Sequence, residues 1–146
     1  SLHALNIQPY QKDGQNWVSF DVYPIQNDGK RRVKCNALVT DKRVVKSSTG
    51  NREQRFVIQT FMTIGDHTWS IEITLTNRDS MGYRMLLGRE AMKGRLIVDP
   101  EKSFSLGNIS DSTVVASYEK FRNTTTGLRI GLLASNQELY SNRRII

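Results

Sequence analysis

The sequence predicts a mostly β domain with one short helix, followed by the opening piece of an α/β domain. Three stretches carry that prediction. Trp17 to Tyr23 alternates, with Val18, Phe20 and Val22 on one side and Ser19 and Asp21 on the other. That is the period-two signature of a half-buried strand. Gln54 to Leu75 reads as a long hairpin turned at Gly65-Asp66-His67. Its returning arm puts Trp69, Ile71, Ile73 and Leu75 on one face and Ser70, Glu72 and Thr74 on the other. Met85-Leu86-Leu87-Gly88-Arg89-Glu90-Ala91-Met92-Lys93-Gly94 begins as an apolar strand, breaks at Gly88 and becomes a short helix ending at Gly94. A glycine at such a strand end permits close backbone approach, and Arg89 beside it calls for an acidic or carbonyl partner.

The remaining elements follow in order. Leu2, Ala4, Leu5 and Ile7 form a short apolar pattern containing His3, which Pro9 is expected to close. Lys12-Asp13-Gly14-Gln15 and Gln26-Asn27-Asp28-Gly29 are turn signals. Arg31 to Val45 reads as two short strands, the first alternating at Val33, Cys35 and Ala37. Lys46 to Arg52 is small and polar, the tip of a hairpin with Gly50-Asn51 able to take positive φ. Gly94 to Val98 is expected to be a further strand, closed by Asp99-Pro100. Residues 108–127, rich in Ser, Thr and Asn, read as a linker. Leu128 to Ala134 is a new apolar run, and Ser135-Asn136-Gln137-Glu138 could cap a helix after it. The domain plan is therefore 1–107, a linker over 108–127, and the start of an α/β domain over 128–146.

Composition narrows the function classes. The 146 residues suffice for one domain with a real core. No run approaches the length of a membrane span, so no membrane partner is expected. A single cysteine, Cys35, cannot form an internal disulfide, and the cytoplasm is the default location. The net charge is +7, with Lys30, Arg31, Arg32, Lys34, Lys42, Arg43 and Lys46 crowded into the first third. These residues form either a solvated basic face or a surface for an acidic partner such as nucleic acid, the ribosome or an anionic peptide. Aromatics are not interleaved with them, which argues against sequence-specific RNA reading. His3, His67 and Cys35 lie far apart with no HExxH or CxxC spacing, so no metal is expected. No Gly-rich phosphate loop is present, so no nucleotide or other cofactor is expected.

The order of a hairpin with a small polar tip, a long hairpin, apolar-apolar-Gly-Arg and a short helix resembles one lobe of the retropepsin-like aspartic proteases. More closely, the chain resembles the bacterial RimB-like family, often labelled an ATP-dependent zinc protease. Leu2-His3-Ala4, Ser48-Thr49-Gly50 with Glu53 and Arg55, Thr76-Asn77-Arg78 and Met85-Leu86-Leu87-Gly88-Arg89 carry the likeness, which covers Ser1 to about Gly107. It implies a small closed acid-protease barrel and a homodimer. Leu128-Arg129-Ile130-Gly131-Leu132-Leu133-Ala134-Ser135 and Leu139-Tyr140-Ser141-Asn142-Arg143-Arg144 resemble the start of the RimK-like glutamate ligases. Those are ATP-grasp enzymes that add glutamates to the tail of a ribosomal protein, so a fused or adjacent ligase is implied.

The likeness also implies site residues. Ser47, Ser48, Thr49 and Gly50 correspond to the flap, or are an ordinary hairpin turn. His3 could approach the catalytic loop and hold substrate, or be a satisfied strand histidine. Arg52 and Arg55 could bind acidic side chains, or form a solvated strand edge. Asn77 and Arg78 could line the site or pin its loop, while Gly88 and Arg89 are structural beside it. Aspartic proteolysis needs two carboxylates sharing one proton. The family's Asp-Thr-Gly motif would fall before Ser1, and neither Asp-Thr-Gly nor Asp-Ser-Gly occurs in the chain. The chain as it stands is therefore expected to be inactive, the lobe of a parent peptidase acting on a polyglutamate-tailed ribosomal protein. The alternative is a non-catalytic basic module that brings a glutamate ligase to the ribosome or its acidic tail.

Overall fold

The computed structural model describes residues 1–25, 28–46, 50–79, 82–102, 110–122 and 129–131. Its strands are β1 (Leu2–His3), β2 (Leu5–Lys12), β3 (Gln15–Val22), β4 (Val33–Lys46), β5 (Arg52–Ile64), β6 (His67–Thr76) and β7 (Arg129–Gly131). Its helices are α1 (Arg89–Met92) and α2 (Asp111–Arg122). The main sheet runs β1-β6-β5-β4-β3-β2, and β7 joins β5. The first and last strands of that order are consecutive in the chain, so the sheet curls back toward itself around its core. The fold is the mostly β, retropepsin-like barrel that the sequence predicts.

Alternation builds the core. Val18 and Phe20 of β3 are fully buried, as are Val57, Ile58 and Met62 of β5. On β6, Trp69, Ile71, Ile73 and Leu75 all face inward, as expected from their spacing. The β2–β3 turn needs positive φ at both central residues, and Asp13 and Gly14 supply 50° and 72°. Cys35 faces the core from β4, and burial pushes its thiol up to about 11. It is expected to resist thiol reagents at pH 8 in the native state and to react once urea unfolds the chain. Rapid native labelling would contradict this packing.

Four local expectations are corrected. Strand β2 runs through Pro9 to Lys12, because β2 ends the sheet order and pairs with β3 alone, leaving one side where a missing N–H costs nothing. The two short strands expected over 31–45 are one strand of 14 residues. It pairs with β3 up to Leu38, then with β5 from Val39, and an irregularity between Val39 and Asp41 marks the change of partner. Residues 94–98 form no strand: Gly94 turns at φ 69°, and Ile97 is 98% exposed with no partner strand among the described residues. The stretch read as a linker carries α2, started by Ser110, whose Oγ accepts from the Thr113 N–H at 3.3 Å. The helix expected after residue 134 and the flap residues Ser47, Ser48 and Thr49 lie outside the described residues.

Alternation puts Asp21 on the face opposite Val18 and Phe20, yet it is only 5% exposed. Asn6, at φ 51° in an irregular step of β2, folds its Nδ2 onto Asp21 Oδ2 at 2.7 Å, and Arg32 approaches the same oxygen at 3.6 Å. Asn6 of β2 and Arg32, just ahead of β4, thus flank the carboxylate.

Candidate active-site region

The start of the chain is held on both sides. Strand β1 lies parallel to β6, pairing Leu2 with Leu75 and His3 with Thr76, and Leu2 bridges Met85 on the other side. The Ala4 N–H donates to Thr76 O at 3.0 Å, and Leu86 N–H to Ser1 O at 2.8 Å. The Ser1 amino group donates to Leu86 O at 2.7 Å. Burial, then the nearby positive charges of Arg78 and Arg55, lower its pKa to about 5. Met85 to Leu87 is thus an apolar segment beside β1, and α1 follows it directly.

His3 is fully enclosed. Its Nδ1 accepts the Arg78 backbone N–H at 2.9 Å, so in the neutral ring the proton sits on Nε2. Nε2 lies 3.2 Å from Asp79 Oδ1, off the line of a good hydrogen bond. Burial and the charge of Arg84 push the His3 pKa down, and Asp79 offsets this only in part. A histidine with a lowered folded pKa stabilises the fold above its unfolded value near 6.5, and that contribution is lost as pH falls below it. Unfolding midpoints should therefore fall between pH 7 and 5, and His3→Asn, which keeps an acceptor for Arg78, should flatten part of the slope. The Ser1 amine, with the same sign, accounts for a remainder. An unchanged slope in His3→Asn would sink this assignment.

Around Ser1 and His3 stand Arg78, Arg55 and Arg84. Arg78 is 7% exposed, and its guanidinium donates to Ser1 Oγ at 2.9 Å and Tyr83 O at 3.2 Å. Arg84 reaches Asp79 at 3.5 Å and lies over the Tyr23 ring. Arg55 Nε donates to Glu53 Oε2 at 2.8 Å, and both Glu53 oxygens accept from Thr76 Oγ1 at 3.1 Å. The tip end of the β4–β5 hairpin is thereby tied to the end of β6. Asn77 shapes the turn after β6, its Oδ1 accepting from the Asp79 N–H at 2.9 Å.

Of the residues singled out from the sequence, His3, Arg55, Asn77 and Arg78 come together here. Arg52 stands apart at the exposed start of β5, opposite Lys46. Gly50, at φ 88°, closes the hairpin tip. Gly88 precedes α1 in extended backbone, and a Cβ there would meet nothing within 4 Å. The side chain of Arg89 is 86% exposed, with Glu90 at 3.7 Å, so within one chain it does not reach the acidic partner expected of it near the site. Sequence reasoning missed Asp79, Arg84 and Ser1 as members of the cluster. The signal available was the charge-rich Asn77-Arg78-Asp79 directly after an apolar strand. Among the described residues no group of three or more His, Cys, Asp or Glu could hold a metal ion. None of their helices is long and apolar enough to cross a membrane.

A curled β lobe whose first strand is inserted parallel beside the last long one, with an apolar-Gly-Arg segment on its other side, defines a retropepsin-like lobe. The chain belongs to the RimB-like family: the family model described as retropepsin-like aspartic endopeptidase RimB matches residues 1–108. Several relatives align over the whole chain. A probable alpha-L-glutamate ligase of Shewanella halifaxensis is 53% identical over all 146 residues, and one of Desulfotalea psychrophila is 49% identical over the same length. The chain spans 32% of the length of each. A solved structure of a Legionella pneumophila protein of unknown function is 29% identical and covers 63% of this chain and 64% of its own, with a TM-score of 0.49.

Proposed function

We propose that this chain is the peptidase-type lobe of a protein that also carries a glutamate ligase, and that the lobe handles glutamate-tailed peptide. The observation that supports this reading most is that residues 1–108 match the retropepsin-like aspartic endopeptidase family while the whole chain aligns with relatives named glutamate ligases. The net charge of +7 suits a glutamate tail by complementarity. The names of the relatives support the ligase link, with residues 128–146 as its beginning and the lobe ending near residue 107. In this reading the catalytic Asp-Thr-Gly lies ahead of Ser1, and two lobes each supply one carboxylate, so the working form is a homodimer. The exposed Ile97 and Arg89 are then available to a partner lobe. Residues 47–50 act as the flap, the substrate tail belongs to a ribosomal protein, and the setting is cytoplasmic.

The second reading is a non-catalytic module that binds the acidic tail or the ribosome. The same net charge would serve binding without cleavage. Binding of nucleic acid through the basic first third is weakened by internal pairing. Arg31 is engaged by Asp28, Arg32 by Asp21, and Arg43 by Asp41 and Glu72.

The test is to read the coding region ahead of Ser1, express the longer protein and assay a glutamate-tailed peptide. The expected result is an in-frame Asp-Thr-Gly and cleavage that drops by about 10³-fold when its Asp becomes Asn. The 146-residue chain alone should not cleave. Tail binding by the longer protein without cleavage would replace the peptidase reading with the module.

A further inference from the structure

Strand β5 runs past the end of its pairing with one of its neighbours. Antiparallel to it, β6 pairs along the whole stretch from Val57 to Ile64. On the other side β4 pairs only from Arg52 to Ile58, because β4 crosses to β3 at its irregularity near Thr40. That leaves the β4-facing side of Gln59 to Ile64 without β4. An open strand edge of this kind is a template for another strand. Strand β7 occupies it, parallel, pairing Phe61 with Arg129, Met62 with Ile130 and Thr63 with Gly131. Parallel pairing needs a crossover connection, commonly a helix, and α2 lies just before β7. Helix α2 is itself tethered to the lobe, Glu119 Oε1 standing 3.9 Å from Arg31 Nε.

We infer that the open side of β5 between Gln59 and Ile64 is a docking seat for the segment that begins at residue 129, and that this segment fixes the retropepsin-like lobe to the domain after it by continuing the lobe's own sheet. The identity of that following domain as a ligase rests on the functional reading above; the docking itself does not. Sheet continuity would hold the two parts at one orientation instead of leaving them on a free tether. The outward Phe61, 60% exposed, marks the seat's surface.

The test is amide hydrogen exchange on the full 146-residue chain and on two variants, Ile130→Pro and Gly131→Pro. Adjacent strand residues point their N–H groups to opposite sides, so one of the two prolines must strike the ladder with β5. In that variant, amides of Gln59 to Ile64 that point away from β6 should exchange at least about tenfold faster. Amides of the β3–β4 ladder, remote from the change, should keep their rates and report that the lobe remains folded. No change at Gln59 to Ile64 in either variant would overturn the inference. So would protection that depends on protein concentration and tracks a dimer by light scattering, since a second copy would then fill the seat. A failed peptidase assay would leave the exchange result standing, so the two readings fail separately.

Discussion

Trp69→Ala is expected to destabilise the lobe by about 3–5 kcal/mol in urea unfolding. Trp69 sits at the end of the β5–β6 hairpin, 8% exposed, within the same buried cluster as Met62, Ile64 and Met92. Its Nε1 donates to Ala91 O at 2.9 Å. Helix α1 has only four residues, and Gly88, which precedes it at the cap position, offers no side-chain cap. So short a helix does not hold itself. It is held by Met92 in the core and by the indole's hydrogen bond. Truncation removes the ring's packing and releases α1 together, so the Gly88–Gly94 segment should become labile first. Trp69→Phe keeps most of the apolar contact and loses the hydrogen bond, which should cost about 1 kcal/mol beyond the lost packing. A loss below about 1 kcal/mol in Trp69→Ala would mean that the segment is held by something else.

Arg78→Ala is the second large effect, a loss of about 2–4 kcal/mol. The guanidinium is buried and serves Ser1 Oγ and Tyr83 O, while the same residue's backbone N–H serves His3. Truncation keeps the backbone bond but strips the other two acceptors of their donor. Arg78→Lys retains the charge and one point of donation, so it should fall between wild type and Ala because the planar fork is lost. The comparison also decides between two roles. If Arg78→Ala leaves unfolding within about 0.5 kcal/mol of wild type and weakens only the binding of a glutamate peptide, Arg78 is a ligand-binding residue. A large stability loss makes it a positioning residue for the start of the chain.

Much of the sheet was legible because the cue is local. Trp69, Ile71, Ile73 and Leu75 show their burial by spacing alone, and Gly88 and Gly94 bracket α1 correctly. The misreadings share a cause, which is that the cost of a residue depends on what lies across from it. Pro9 breaks a strand only where its N–H would be paired, and β2 leaves that side open. The alternation in β4 looks like two strands because the partner changes, although the backbone continues. The apolar residues after Gly94 read as a strand, but among the described residues no strand lies beside Ile97. The family pattern led to His3, Arg55, Asn77 and Arg78, and it also pointed to Arg52 and Arg89, which the fold leaves at the surface.

By itself the sequence determined the strands with a clean period of two, the bracketed short helix, the excess of positive charge and the family pattern. Only the tertiary structure decided that His3 meets Arg78 across 75 positions, that Asp21 is covered, and that β7 finds the open side of β5. Periodicity reports which face of a strand avoids water. It carries nothing about which distant strand lies alongside, and the parallel insertion of β1 beside β6 is what turns scattered charges into one cluster.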